Sequence, residues 1–410
     1  MQVISFLKRS NPFFIFLAVT FIIHLFLPLK WGDDAVFSAE AALPLNEFLY
    51  GSSRILTDTM TYIFNKYNVL WRIFNPCVLT LLAAALSKLL SVRAVWIKYF
   101  VCVAVAIPTM AIVDAGFIAT TVNYLWPVTF GIVSMYIFQN IAAGKKMPVY
   151  TLIAGIPLII YAINMEQMSA VLTASFLIGC AYLFFVKKRF HIYPLIQLAI
   201  SAFGVLYAYF GNTSQDNSRM VREIGRYFPS FNELNVLQKI ELGFSSTMHG
   251  LTIALRVPLA AFLAFTVFLA VISFKKKVHI SARIASLVPV AFSVICAVYN
   301  AVKPIESVKN FRLTKAEYLF SPLFDILFAA VLICVLYTVA HIIKSKPLIL
   351  TSYTVLAAGM ASRVLMGFSP TVWASGYRTF CIMIISFIIV SVIILNRERT
   401  VRKDSLVNSK

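Results

Sequence analysis

The chain has 410 residues, of which 60% are hydrophobic and only 13% charged, with 35 phenylalanines, a formal net charge of +20 and a mean hydropathy of +0.85. That balance excludes a soluble globular domain and leaves an integral membrane protein. The six cysteines sit in apolar stretches with no CxxC pair, which excludes a disulfide framework and a thiolate metal site.

In chain order, a short basic N-terminus (1–11, with Lys8 and Arg9) precedes the apolar run Pro12 to Leu29, whose helix of about 27 Å matches the hydrocarbon thickness. No small-residue cleavage site follows, so this run is expected to be an uncleaved anchor. The first outer loop (30–68) opens with Trp31-Gly32-Asp33-Asp34. It continues through good helix formers to Leu43, closed by Pro44, and then Ser53 to Lys66, which suits an interfacial helix. Further apolar segments follow at Val69–Leu90, Tyr99–Asp114, Leu125–Ala142, Pro148–Ile163, Met168–Val186 and Tyr193–Phe210. A long outer loop (211–256) opens with a polar stretch expected to be mobile and carries Arg219, Arg222 and Arg226. Segments at Val257–Phe274, Ile284–Val302, Pro322–Ile343, Pro347–Leu365 and Thr379–Leu395 complete about twelve transmembrane helices, before a basic tail (396–410). No internal repeat or soluble domain is visible, so a single all-α polytopic membrane domain over 1–410 is expected.

The charges orient it. Lys88, Arg93, Lys145, Lys146, Lys187, Lys188, Arg189, Lys275, Lys276, Lys277, Lys344, Lys346 and the tail fall on one side of a twelve-span arrangement, joined by only Glu398 and Asp404 among the acids. The positive-inside rule makes that side, with both termini, cytoplasmic. The basic balance is thus a topology signal, and no nucleic-acid partner is implied. The inner loops are too short to build a site, so function is expected to face outward.

Four outer features carry chemistry. Asp33 and Asp34 are adjacent carboxylates at a membrane rim. One reading has Asp33 cap the following helix with Asp34 in its first turn; the other has one of them act as a general base on an acceptor hydroxyl. Spacing leaves open which. Thr121 to Pro127 offers Tyr124 and Trp126 for an aromatic belt, or Asn123 and Trp126 to orient and stack a sugar. Asn164-Met165-Glu166-Gln167 is a turn short enough to hold Glu166 at the surface. The outward arginines Arg54, Arg219, Arg222, Arg226, Arg312, Arg363 and Arg378 have the planar fork that matches a phosphate, and Arg378, just before the last span, is the favoured one. Asp114 and Asp325 read as local hydrogen-bonding groups. There is no Walker loop, GxGxxG, HExxH or GxSxG, and the five histidines form no ligand cluster.

In their order, Gly32-Asp33-Asp34, Gly51-Ser52-Ser53-Arg54, Asn123-Tyr124-Leu125-Trp126-Pro127, Asn164-Met165-Glu166, Gly211-Asn212 and Ser369-Pro370 to Arg378 resemble the GT-C glycosyltransferases. Within that group the plan is similar to bacterial serotype-converting glucosyltransferases of O-antigen modification. The resemblance implies transfer of a sugar, with glucose expected, from a polyprenyl-phosphate carrier to a hydroxyl of a surface glycan such as lipopolysaccharide O-antigen, on the outer face of the bacterial inner membrane. It implies inversion at the anomeric carbon, Asp33 or Asp34 as base, and Arg54, Asn123, Trp126, Glu166, Arg363 and Arg378 as substrate-binding residues. No cofactor and no required metal are expected. The partners implied are the lipid-linked donor, the glycan acceptor, and a polyprenyl-phosphate-sugar synthase and flippase of the same pathway. A lipid or sugar flippase or transporter, and an O-antigen polymerase, are the alternatives. The large outer C-terminal domain of oligosaccharyltransferases is absent from this pattern.

Overall fold

The computed structural model describes residues 11–29, 31–49, 54–108, 115–214, 218–254, 256–302 and 322–407. Lys8, Arg9, the Gly51-Ser52-Ser53 stretch, Asp114, Asn217, Lys303 to Ser321 with Arg312, and Lys410 lie outside those residues. Among the described residues all regular structure is helical, and nine helices are long and apolar enough to cross a bilayer. The chain is an all-α polytopic membrane protein.

Three of the expected segments give shorter apolar helices, Pro12–Phe26, Val95–Pro108 and Val149–Ala162, each below the roughly 20 residues of an upright span. The first stops before Leu29 because Pro28 disfavours helical backbone at Leu27, which is extended at ψ 134°.

The chain packs as two compact units, Met1–Ser218 and Arg219–Lys410. In the first, α1 (Pro12–Phe26) leads to a short helix α2 (Asp33–Glu40), a single turn α3 (Leu45–Phe48) and α4 (Ile55–Lys66). Then come α5 (Asn68–Leu89), α6 (Val95–Ala104) and α7 (Phe117–Thr120). A π-turn, Thr121–Leu125, runs α7 into α8 (Trp126–Ala142), followed by α9 (Val149–Ala162), α10 (Glu166–Ala181) and α11 (Ile192–Ser214). Helix α5 packs on α1 and α8, α8 on α9, and α10 on α11. One core cluster gathers Phe64, Trp71, Phe117, Val122, Trp126 and Tyr161. Helix α4 buries Phe64, yet it also buries a polar stripe, Thr57, Thr61 and Asn65, four residues apart. It therefore docks by hydrogen bonds as well as by an apolar face.

The second unit has α12 (Ser218–Tyr227), α13 (Val236–Met248), α14 (Val257–Lys275), α15 (Ile280–Val302), α16 (Pro322–Ile343), α17 (Lys346–Val364) and α18 (Cys381–Val407). The expectation of a mobile stretch around Arg222 is corrected: α11 runs on through Ser214, and Arg222 lies in α12. Ile224 anchors that helix in a core with Phe228, Phe231, Leu234, Leu242 and Val372, which fixes its amphipathic face. Helices α14, α15 and α16 pack in sequence, and α17 packs on α18.

Candidate functional site

The adjacent carboxylates have different surroundings. Helix α2 starts from Gly32 at φ 59°, with no side-chain cap, so Asp33 is its first helical residue and the expected Asp33 cap is corrected. Asp34 is 0% exposed and caps another helix. Its Oδ2 accepts the Ile118 N–H at 2.9 Å and its Oδ1 that of Ala119 at 2.8 Å. These N–H groups are among those the first turn of Phe117–Ala142 leaves without an intrahelical partner, and the helix dipole favours an anion there. Two glycines permit the approach. A Cβ on Gly116 (φ 106°) would stand 2.8 Å from the Asp34 Cγ, and one on Gly32 2.9 Å from the Ala115 carbonyl carbon.

Burial pushes the Asp34 carboxyl up to about 6, against the pull of the Ala119, Ile118 and Phe117 N–H groups, with the Asp33 charge adding to the rise. Asp33, about 100° further round α2, is only half-buried. The pair thus divides into a clamp, Asp34, and a carboxylate within reach of the outside, Asp33.

Arg54 and Glu166, 112 residues apart, meet as a bidentate pair: Nε donates to Oε1 at 2.9 Å and Nη2 to Oε2 at 2.7 Å. The Arg54 guanidinium also lies 5.8 Å from the Tyr124 ring centroid. Beside it the Leu56 N–H donates to Asn164 Oδ1 at 3.1 Å, so the short Asn164–Glu166 turn fixes the start of α4.

Asn123 sits in the π-turn. Pro127 has no N–H to return to the Asn123 carbonyl, so the ordinary helical ladder is interrupted there. The Asn123 Nδ2 donates to Thr61 Oγ1 at 3.0 Å and to the Ala119 carbonyl at 2.6 Å. Its buried Oδ1 has no hydrogen-bond partner among the described residues.

Trp126 stands inside the helix packing, at 6% exposure, and not in an aromatic belt. Its ring lies 5.2 Å from that of Phe64 and 6.3 Å from that of Tyr161. Its Nε1 donates to Asn75 Oδ1 at 2.8 Å. Asn75 Nδ2 in turn faces His24 Nε2 at 2.8 Å, and His24 Nδ1 faces the Thr20 carbonyl at 2.6 Å. A carbonyl can only accept, so Nδ1 carries the hydrogen and Nε2 accepts from Asn75. Each member of the chain is satisfied, and α1, α5 and α8 are locked in register.

In the second unit Arg363, 2% exposed, donates to Thr379 Oγ1 at 2.8 Å and Ser246 Oγ at 3.1 Å, its guanidinium 4.3 Å from the Phe380 ring centroid. Arg378, half-buried in the short helix Gly376–Phe380, donates from Nε to the Ser375 carbonyl at 2.8 Å. Nearby on α13, the Ser245 hydroxyl lies 3.0 Å from Glu241 Oε1 and 2.9 Å from Asp325 Oδ1. One hydrogen serves one carboxylate at a time. Burial raises the Glu241 carboxyl, with Asp325 adding to it. Burial likewise drives His249, whose ring lies 5.4 Å from that of Trp373, down to about 4.

Sequence reasoning missed Thr61, His24, Asn75, Arg72 and the Ser245 cluster. Arg72 donates to the carbonyls of His24 and Leu27, closing the end of α1. A polar residue inside an apolar run was the available signal for His24, Asn75 and Arg72. Among the described residues no group of three or more His, Cys, Asp or Glu side chains could hold a metal ion. In comparisons with known proteins, no family model, no curated protein and no solved structure matches the chain.

Proposed function

We propose that the chain is a GT-C-type glycosyltransferase that moves a sugar, glucose being the expected one, from a polyprenyl-phosphate carrier to a hydroxyl of a surface glycan such as O-antigen. The observation that carries this reading is the division of labour at Asp33-Asp34: a buried carboxylate clamps α2 against Phe117–Ala142, which presents its neighbour in a fixed direction at a half-exposed helix start. Asp33 is the general base. The acceptor oxygen attacks the anomeric carbon as its proton passes to Asp33; the bond from that carbon to the phosphate oxygen breaks, the electron pair leaves on the phosphate, and the configuration inverts.

The unpartnered Asn123 Oδ1 supplies an acceptor for a sugar hydroxyl. Glu166 holds Arg54 in its fork and so supports the start of α4. Trp126 supports α4 through its contact with Phe64. In the second unit Arg378 is the proposed ligand of a carrier phosphate, with Arg363 holding Thr379 beside it in sequence. The proposed setting is the bacterial inner membrane with both termini cytoplasmic and the chemistry on the far side.

The test is transfer of labelled glucose from polyprenyl-phosphate glucose to a glycan acceptor in vesicles of the full-length protein. Activity that Asp33→Asn abolishes and Asp34→Asn only weakens supports the reading. Translocation of the lipid-linked sugar without transfer, unaffected by either change, would replace it with a flippase.

A further inference from the structure

The turn joining α10 to α11 borders an open apolar cavity of about 260 Å³ that the proposed chemistry does not use. It arises from a change of helical pitch. The last residues after α10, Tyr182–Val186, form a π-turn, wider than an α-turn. Lys188 then takes a left-handed backbone conformation at φ 53°, and the Arg189 N–H bonds back to the Leu183 carbonyl at 3.0 Å. Leu177, Phe184, Pro194 and Leu195 form apolar walls, while Arg189 and His191 are the polar residues of the lining.

Three features make this more than a crevice in a lipid-facing surface. The lining residue Arg189 follows Lys187 and Lys188 in the turn, all three exposed. The Arg189 guanidinium reaches the neighbouring turn at Gly144, next to Lys145 and Lys146, so five cations are carried by two adjoining turns. The His191 Nε2 is buried and has no hydrogen-bond partner among the described residues.

The geometry points to a binding site for one anionic phospholipid of the adjoining leaflet, its acyl chain in the cavity and its phosphate at Arg189 and His191. A zwitterionic lipid offers the same hydrocarbon, but its ammonium would face the five cations. A soluble phosphate would leave the apolar walls wet. Basic pockets at the ends of membrane helices hold anionic headgroups for this reason.

Native mass spectrometry of the full-length protein in detergent tests the proposal, with phosphatidylglycerol and phosphatidylcholine of identical acyl chains as probes. The wild type should retain phosphatidylglycerol at least about fivefold better, the effect of one well-placed cation. Arg189→Gln, at an exposed position where folding is insensitive, should remove most of that preference. Leu195→Trp, which fills the cavity, should lower retention of both lipids. Lys276→Gln, on a different basic turn, should leave the preference intact. Equal retention of the two lipids by the wild type, or equal loss in Arg189→Gln and Lys276→Gln, would overturn the site in favour of general surface charge.

Discussion

Met1–Ser218 and Arg219–Lys410 handle charge differently. In the first unit a carboxylate sits on backbone N–H groups and a guanidinium sits on a carboxylate, Asp34 on Ile118 and Ala119, Arg54 on Glu166. In the second, Arg363 donates to hydroxyls of Thr379 and Ser246, and two carboxyl groups converge on Ser245. Groups already matched to a strong partner hold structure. The half-exposed Asp33 and Arg378 next to them carry the proposed substrate contacts. Within each unit, one charged residue is bound into the fold and a half-exposed neighbour is the proposed substrate contact.

The strongest way to break it is Asp33→Asn. A positioned base removed without loss of structure should lower turnover by roughly 10² to 10⁴ while the thermal transition stays put. Unchanged transfer would return the base to Asp34 or dismiss it altogether.

Asp34→Ala should do the opposite, destabilising the first unit by about 3 kcal/mol because two buried N–H groups lose a charged acceptor. Its pH signature is distinctive. The folded carboxyl at about 6 lies above the ordinary carboxylate value, so ionisation is disfavoured in the fold. The stabilisation is complete below about pH 4 and declines as pH rises through 6, by on the order of 3 kcal/mol. Thermal melts of wild type and Asp34→Asn from pH 4 to 7.5 should diverge accordingly, the variant lacking the decline. Parallel curves would contradict the assignment of Asp34 as a buried clamp.

Arg378→Lys keeps the charge and loses the fork, and about a tenfold loss of transfer is expected if it grips a phosphate. Arg222→Lys, on the exposed face of α12, should change transfer less than twofold, within the small effects typical of exposed charges. Equal mild effects at both would reduce Arg378 to a head-group contact.

The smallest expected effect is Trp126→Phe. It removes the hydrogen bond to Asn75 at a cost of about 1 kcal/mol and should leave the KM for donor unchanged. A raised KM with an unaltered melt would restore Trp126 to the role of a sugar platform.

Much of the frame is legible from composition alone. Apolar runs of spanning length and the basic turns between them require only counting, because the bilayer fixes helix length and keeps charge out of its core. The short outer helices were also readable, to within a few residues, from Pro44 and the helix formers after Asp33. The adjacent pair Asp33-Asp34 was readable; which of the two is buried as a cap was not. The answer depends on Gly116 and the N–H groups of Ile118 and Ala119, more than 80 residues away, and no local pattern announces a cap supplied in trans. The same holds for Arg54 with Glu166 and for Trp126 with Asn75, pairs that exist only once helices are packed.

Burial of the spans divides along the same line. Gly376–Arg397 and Ile280–Val302 are both apolar enough to cross a membrane, yet 94% of the first is buried in the protein and only 22% of the second. Lipid and protein interior are equally apolar, so hydropathy determined that these segments enter the membrane, and only tertiary packing decided which face each presents to its neighbours.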